Sequence, residues 1–160
     1  PGTHGTTEVE DMIPEWPSPE EEEAGIFFTT HEMEFTLEDE DVIIPWIQSV
    51  IHTEGHTLHR IDFVFCTDDY LLEINRTHLD HDYYTDIITF PINAEPLLAE
   101  IYISVDRVRE NAASLSVRFE DELHRVMIHG VLHLCGYDDH EEDDIREIRE
   151  REEFYLEQLA

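Results

Sequence analysis

The chain has 160 residues, a length that suits one domain with a sizeable core. Forty acidic residues oppose nine basic ones, all of them arginine, for a formal charge of −31. No apolar run is long enough to cross a bilayer, and Cys66 and Cys135 stand far apart, so a membrane span and a disulfide framework are both excluded.

Residues 1–24 carry four prolines, two glycines and the run Glu20-Glu21-Glu22-Glu23. Such a segment buries too little apolar surface to fold, so it is predicted to be an acidic, disordered tail, with a folded domain over 25–160. Ile26-Phe27-Phe28 reads as the opening strand, and the alternation Glu32-Met33-Glu34-Phe35 extends the same strand system. Val42, Ile43, Trp46, Ile47, Val50 and Ile51 recur at helical spacing before Gly55. Proline lacks the N–H a helix interior needs, so the regular helix is expected to start near Pro45.

Leu58 to Cys66 alternates as a strand, and Thr67-Asp68-Asp69 reads as the cap and acidic first turn of a helix bearing Leu71, Leu72 and Ile74. Ile87 to Phe90 and Glu100 to Ser104 are two further strands, and Asp106 to about Leu115 is a helix. Phe119 to Leu134 is the strongest helix, with Leu123, Met127, Val131 and Leu134 near one face and Gly136 as its left-handed stop. Glu142 to Leu159 is a charged helix whose apolar positions are Ile145, Ile148, Phe154 and Leu156. The mixture predicts an α+β domain: one mixed sheet of about four strands with about five packed helices.

The chemistry concentrates at H-G-V-L-H-L-C-G-Y-D-D-H, residues 129–140. His129 and His133 lie one helical turn apart on one face and are able to reach one ion. Gly136 reverses the chain, so Asp138, Asp139 or His140 could add a third ligand, the arrangement of a catalytic zinc with one position open. Imidazole and carboxylate also suit nickel and other divalent ions. Leu132 and Leu134 are expected to wall the histidines. A metallopeptidase would carry H-E-x-x-H, but Gly130 stands where that motif has its glutamate base. His124 lies five residues before His129 and is read as structural or exposed; His4, His31, His52, His56 and His59 lack a ligand-like setting, and Cys135 is read as packing.

H-G-V-L-H-L-C-G-Y-D resembles H-G-x-L-H-L-x-G-Y-D-H, the signature of the YbeY family of metal-dependent endoribonucleases, which act on single-stranded RNA and mature ribosomal RNA. Ile74-Asn75-Arg76-Thr77 with Tyr84 to Pro91 is similar to the family's L-N-x-x-Y-R-x-K-D-x-P-T-D-V-L-S-F-P, and Glu100 to Ser104 to its G-D-I-x-I-S strand. The resemblance covers about residues 26–159. It implies a cytoplasmic enzyme of small-subunit 16S rRNA processing and ribosome quality control, with one divalent ion, zinc by preference, and with single-stranded RNA and the small ribosomal subunit as partners. No oligomeric state is implied.

Two departures bear on the site. The family spaces its histidines H-x3-H-x5-H, and here the third position is Asp139 with His140 following, so either residue could be the third ligand; the register favours Asp139. An aspartate makes the site one charge more negative and lowers the ion's Lewis acidity. Leu79 stands where the family commonly carries an arginine implicated in catalysis; Arg76 or His81 is expected to substitute. His78 takes a usual tyrosine position, and Thr85 and Asp86 match the family directly, with strand capping or catalysis as their roles.

The charge sets a further constraint. Self-repulsion destabilises a compact state at ordinary salt, and molar salt screens it, so the acidity reads as adaptation to a salt-rich cytoplasm, with binding of basic partners as the rival. A polyanion would be repelled, so stacking must replace phosphate contacts, with Tyr83, Tyr84 and Tyr137 as candidates. The alternative functions are an assembly factor with a structural metal that does not cut, and a metallohydrolase of another substrate.

Overall fold

The structure, a computed structural model, describes residues 23–159. The expected tail over 1–24 therefore lies outside the described residues except for its last two positions. Strands β1 (Gly25–Thr30), β2 (Leu58–Cys66), β3 (Ile87–Asn93) and β4 (Leu97–Ser104) form one sheet in the order β1-β2-β4-β3. β1, β2 and β4 run parallel, and β3 pairs antiparallel with β4 at the edge. Five α-helices accompany them: α1 (Glu40–Thr53), α2 (Asp68–Leu79), α3 (Val105–Leu115), α4 (Phe119–Leu134) and α5 (Glu142–Leu156). This is the α+β arrangement expected from the sequence. No helix among the described residues is long and apolar enough to cross a membrane.

β4 is buried along its whole length, as suits a strand with neighbours on both edges and helices on both faces. One face carries Ile61, Phe63, Phe65, Ile101 and Ile103, and α1, α3, α4 and α5 pack on it through Ile47, Val108, Met127, Val131 and Tyr155. Burying each such side chain contributes roughly 1.5–3 kcal/mol. The opposite face holds a smaller cluster, Cys66, Ile88 and Tyr102 against Leu71 and Ile74 of α2.

The sequence signals at helix ends are realised. Thr67 Oγ1 accepts from the Tyr70 amide at 3.2 Å, and Ser104 Oγ accepts from the Arg107 amide at 3.1 Å. At the end of α4 Gly136 has φ +109°, the Gly136 amide donates to His133 O and the Tyr137 amide to Leu132 O, both at 3.0 Å. This is a Schellman turn, and it reverses the chain directly after the two histidines.

Three expectations fail for identifiable reasons. α1 begins at Glu40, five residues before Pro45, because Pro45 is exposed and the Asp41 carbonyl it leaves unpaired belongs to an exposed residue near the helix start. Residues 32–35 form no strand: Glu32 has φ 54°, and the alternation arises because Met33 and Phe35 pack on the core, Phe35 lying 4.8 Å from Phe65. In α5 the buried aromatic is Tyr155, fully enclosed, whereas Phe154 is 47% exposed. The stripe that faces the core is Ile148, Glu152 and Tyr155, at helical spacing.

Candidate metal centre

His129 and His133 project from the last two turns of α4, with ring centroids 4.6 Å apart. The Schellman turn brings Asp139 back over them. Its Oδ2 lies 3.4 Å from His129 Nε2 and 3.3 Å from His133 Nε2. One ligand atom from each of the three residues falls within 4.8 Å of the others. His140 joins the same cleft but not this trio: its ring is 80% exposed and its Nε2 pairs with Asp138 Oδ1 at 3.3 Å. Of the two third-ligand alternatives, the chain geometry brings Asp139 to the pair.

Behind the histidines lies a buried carboxylate that sequence reasoning missed. His129 Nδ1–H donates to Glu152 Oε2 at 2.5 Å, and Glu152 is only 2% exposed. Arg125 meets the other oxygen of Glu152 at 3.5 Å and forks onto Glu122, also 2% exposed. Paired charges this deep need such mutual compensation. With Nδ1 carrying the proton, His129 presents the lone pair of Nε2 toward His133 and Asp139. Glu152 sits 23 residues downstream in a helix that reads as solvated charge. Its signal was positional: it falls on the stripe between Ile148 and Tyr155.

These residues fit a divalent ion. The donors are two neutral imidazole nitrogens and a carboxylate oxygen, and one imidazole is oriented by a buried acid. Metal–ligand bonds of about 2.0–2.1 Å around a tetrahedral ion put its ligands roughly 3.3 Å apart, and the two nitrogen–oxygen separations match that spacing.

The trio opens into a cleft of about 460 Å³ also lined by Asn75, Leu79, His81, Tyr83, Thr85 and Asp86 and by Ile87, Ile88 and Thr89 of β3. The apolar wall is thus the edge strand, not Leu132 or Leu134. Leu132 is buried in the main core and Leu134 packs against it. Gly130 explains the motif between the histidines. A Cβ there would come within 2.7 Å of Ile87 Cδ1, so the helix face between the imidazoles is pressed on the sheet. A glutamate at this position would have to displace the tip of Ile87 and press on Ile101 and Thr89, so the packing as well as the sequence disfavours the peptidase arrangement.

The remaining sequence candidates divide. Asp86 lines the cleft, and Asn111 Nδ2 donates to its Oδ2 at 3.2 Å. Burial pushes its pKa up, against the pull of Arg125 and His129. Thr85 Oγ1 donates to the Ile87 carbonyl at 3.4 Å, at the entrance to β3. His81 lines the cleft and Arg76 does not: the Arg76 guanidinium is held by Asp82 at 2.5 Å on the exposed side of α2. Of the three tyrosines only Tyr83 reaches the cleft. Tyr84 donates to Asp69 beneath Arg107, and Tyr137 donates to Glu54 at 3.1 Å. His124 packs edge-on to Trp46 and faces Asp39 at 3.3 Å, consistent with a structural role. Cys135 is partly buried against the core, and burial with the nearby Glu54 charge pushes its thiol up to about 12.

A family model described as endoribonuclease YbeY matches residues 27–160. Endoribonuclease YbeY of Flavobacterium psychrophilum is 46% identical over 124 residues, 77% of this chain and 89% of that one. The protein of the same name from Cytophaga hutchinsonii is 40% identical over 137 residues, 84% of this chain and 95% of that one. Among solved structures, the solution structure of TM1509 from Thermotoga maritima superposes with a TM-score of 0.60 at 28% identity, covering 84% of this chain and 88% of that one. With the histidine pair, the strand beside it and nearly the whole folded length accounted for, the chain belongs to the YbeY family of endoribonucleases.

Proposed function

We propose that this endoribonuclease is a zinc-dependent, single-strand-specific enzyme of cytoplasmic ribosomal RNA maturation, acting on small-subunit RNA in a salt-rich cell. The observation that carries the metal is the convergence of His129 Nε2, His133 Nε2 and Asp139 Oδ2 within 4.8 Å, with Glu152 buried behind His129. The relatives' names supply the reaction class, and the charge of −31 supports the salt-rich setting, where screening removes self-repulsion.

In this reading His129, His133 and Asp139 hold the ion, and His140 stays at the rim. The ion, when bound, supplies Lewis acidity for hydrolysis of the phosphodiester. Glu152 keeps the proton of His129 on Nδ1 and fixes the ring. Arg125, bonded chiefly to Glu122, also reaches the second oxygen of Glu152 and helps hold that carboxylate in place. Asp86 stands in the same cleft, where burial raises its pKa, and its position suits a group that takes or gives a proton during bond cleavage. Ile87, Ile88 and Leu79 give one side of the cleft an apolar lining. Arg76, paired with Asp82 outside the cleft lining, is not assigned a role in this reading.

The test is cleavage of a single-stranded RNA by the purified chain at high salt. Cleavage that stops with a chelator, returns with zinc and is lost in His133→Ala supports the reading. Cleavage unaffected by both chelator and His133→Ala overturns it.

A further inference from the structure

Among the described residues, the cleft that the metal trio shares with β3 has no arginine in its lining, in contrast to a smaller pocket at His129 and Asp139 that is lined by Arg125 and Arg149, although the chain belongs to an enzyme family whose substrate is a polyanion. Affinity for RNA must come from another kind of contact there. The lining supplies one. Tyr83 is 56% exposed, yet it is tightly placed. Its ring stacks on His81 with centroids 5.2 Å apart and planes inclined by 17°, and its hydroxyl meets His81 Nδ1 at 3.1 Å.

The backbone beneath is tied to the core at two points. α2 ends on Asp80 at φ 57°, and the His81 amide then donates to Asn75 O at 3.0 Å. Asn75 itself is 2% exposed, and its Nδ2 donates to the Tyr83 carbonyl at 2.9 Å. A buried amide side chain thus spends its donor on holding an exposed aromatic residue at the mouth of the cleft. Leu79, 38% exposed, adds apolar surface on the same lining.

We infer that His81 and Tyr83 form a stacking platform for an unpaired nucleobase flanking the phosphodiester at the metal trio. The inference rests on the endoribonuclease reading and names a subsite within it. Every base has a π-face, so the platform is tolerant of sequence. A base inside a duplex has both faces covered by its neighbours, so the platform selects single strands. Stacking releases no counterions, so this part of the affinity survives the salt that abolishes phosphate contacts. That property suits a chain of charge −31.

The test uses single-stranded RNA oligonucleotides in which 2-aminopurine is walked along the sequence. In metal-free protein its fluorescence should be quenched at a defined position, and the quenching should be lost in Tyr83→Ala and kept in Tyr83→Phe. In the zinc-loaded enzyme Tyr83→Ala should raise KM roughly 5- to 100-fold with kcat, melting temperature and zinc affinity little changed, and Tyr83→Phe should stay within about twofold. The wild-type KM should not rise as salt is increased over the range in which the chain stays folded, because screening weakens the repulsion of the polyanion while stacking persists. Normal cleavage with an unchanged KM and unchanged quenching in Tyr83→Ala overturns the platform and leaves the nuclease reading intact. A wild-type chain that cuts no RNA overturns the nuclease reading, and the quenching series then decides the platform by itself.

Discussion

Two carboxylates near the metal trio are pushed in opposite directions. Glu54, at the end of α1, is partly shut from water, which alone would raise its pKa. The Tyr155 hydroxyl, Arg151 at 2.8 Å and the Tyr137 hydroxyl at 3.1 Å all donate to it and together bring its pKa below the usual value. Asp86, in the cleft, has one side-chain donor, Asn111, and burial wins: its pKa goes up. The difference lies in both depth and donors: Asp86 is the more strongly desolvated of the two and has fewer donors to offset it. A carboxylate whose charge is fully met is part of the frame. One left under-supplied in a cleft is available for chemistry. The frame acid also serves the site. Tyr137 is the residue after Gly136, so Glu54 anchors the start of the loop that carries Asp139.

The largest effect expected from breaking this contrast falls on the functional side. His133→Ala should cut metal-dependent cleavage by about 10²-fold or more, because one of three protein ligands is gone, while the denaturation midpoint stays close to wild type. Next comes Glu152→Gln, which no longer fixes the His129 ring; a competition titration should show zinc affinity lower by about 10- to 100-fold. On the frame side, Glu54→Gln leaves Arg151 without its charge partner. It should cost about 1–2 kcal/mol in urea unfolding at constant salt.

The pH response separates the two acids by sign. Glu54 has a folded pKa below its unfolded value of about 4.5, so its contribution is complete above that value and is lost as pH falls through the lower folded value. Asp86 has a folded pKa above its unfolded value of about 3.8, so ionising it costs stability above the folded pKa and the cost is relieved as pH falls. Unfolding free energy measured from pH 6 to 3 should therefore drop less steeply in Glu54→Gln than in wild type. It should drop more steeply in Asp86→Asn. The smallest effect is Tyr137→Phe, about 1 kcal/mol, read by thermal melting.

Much of this was legible in the sequence where one periodicity dominates. β2 and α4 fall on the expected residues because alternation over Leu58–Cys66 and helical spacing over Phe119–Leu134 are each long and uninterrupted. The histidine pair and the returning Asp139 follow from one helical turn and one glycine. Local rules failed where distant packing decides. Pro45 is tolerated inside α1 because it and Asp41, whose carbonyl loses its usual helical partner, are exposed to solvent, and Met33 and Phe35 alternate to reach the core without joining the sheet. Glu152 was invisible as a functional group because its partner lies on another helix, and a charged residue on a charged helix carries no local mark. The pairing of Arg76 with Asp82, away from the cleft, was not legible because it depends on the turn after α2, which spacing does not fix.

The most direct test is an anomalous difference map at the zinc edge from crystals of the full chain grown with zinc. The account expects one peak bonded at about 2.0–2.2 Å to His129 Nε2, His133 Nε2 and a carboxylate oxygen of Asp139, with His140 outside the coordination sphere. A peak bonded to His140 with Asp139 displaced, or no peak between the two imidazoles, would contradict it.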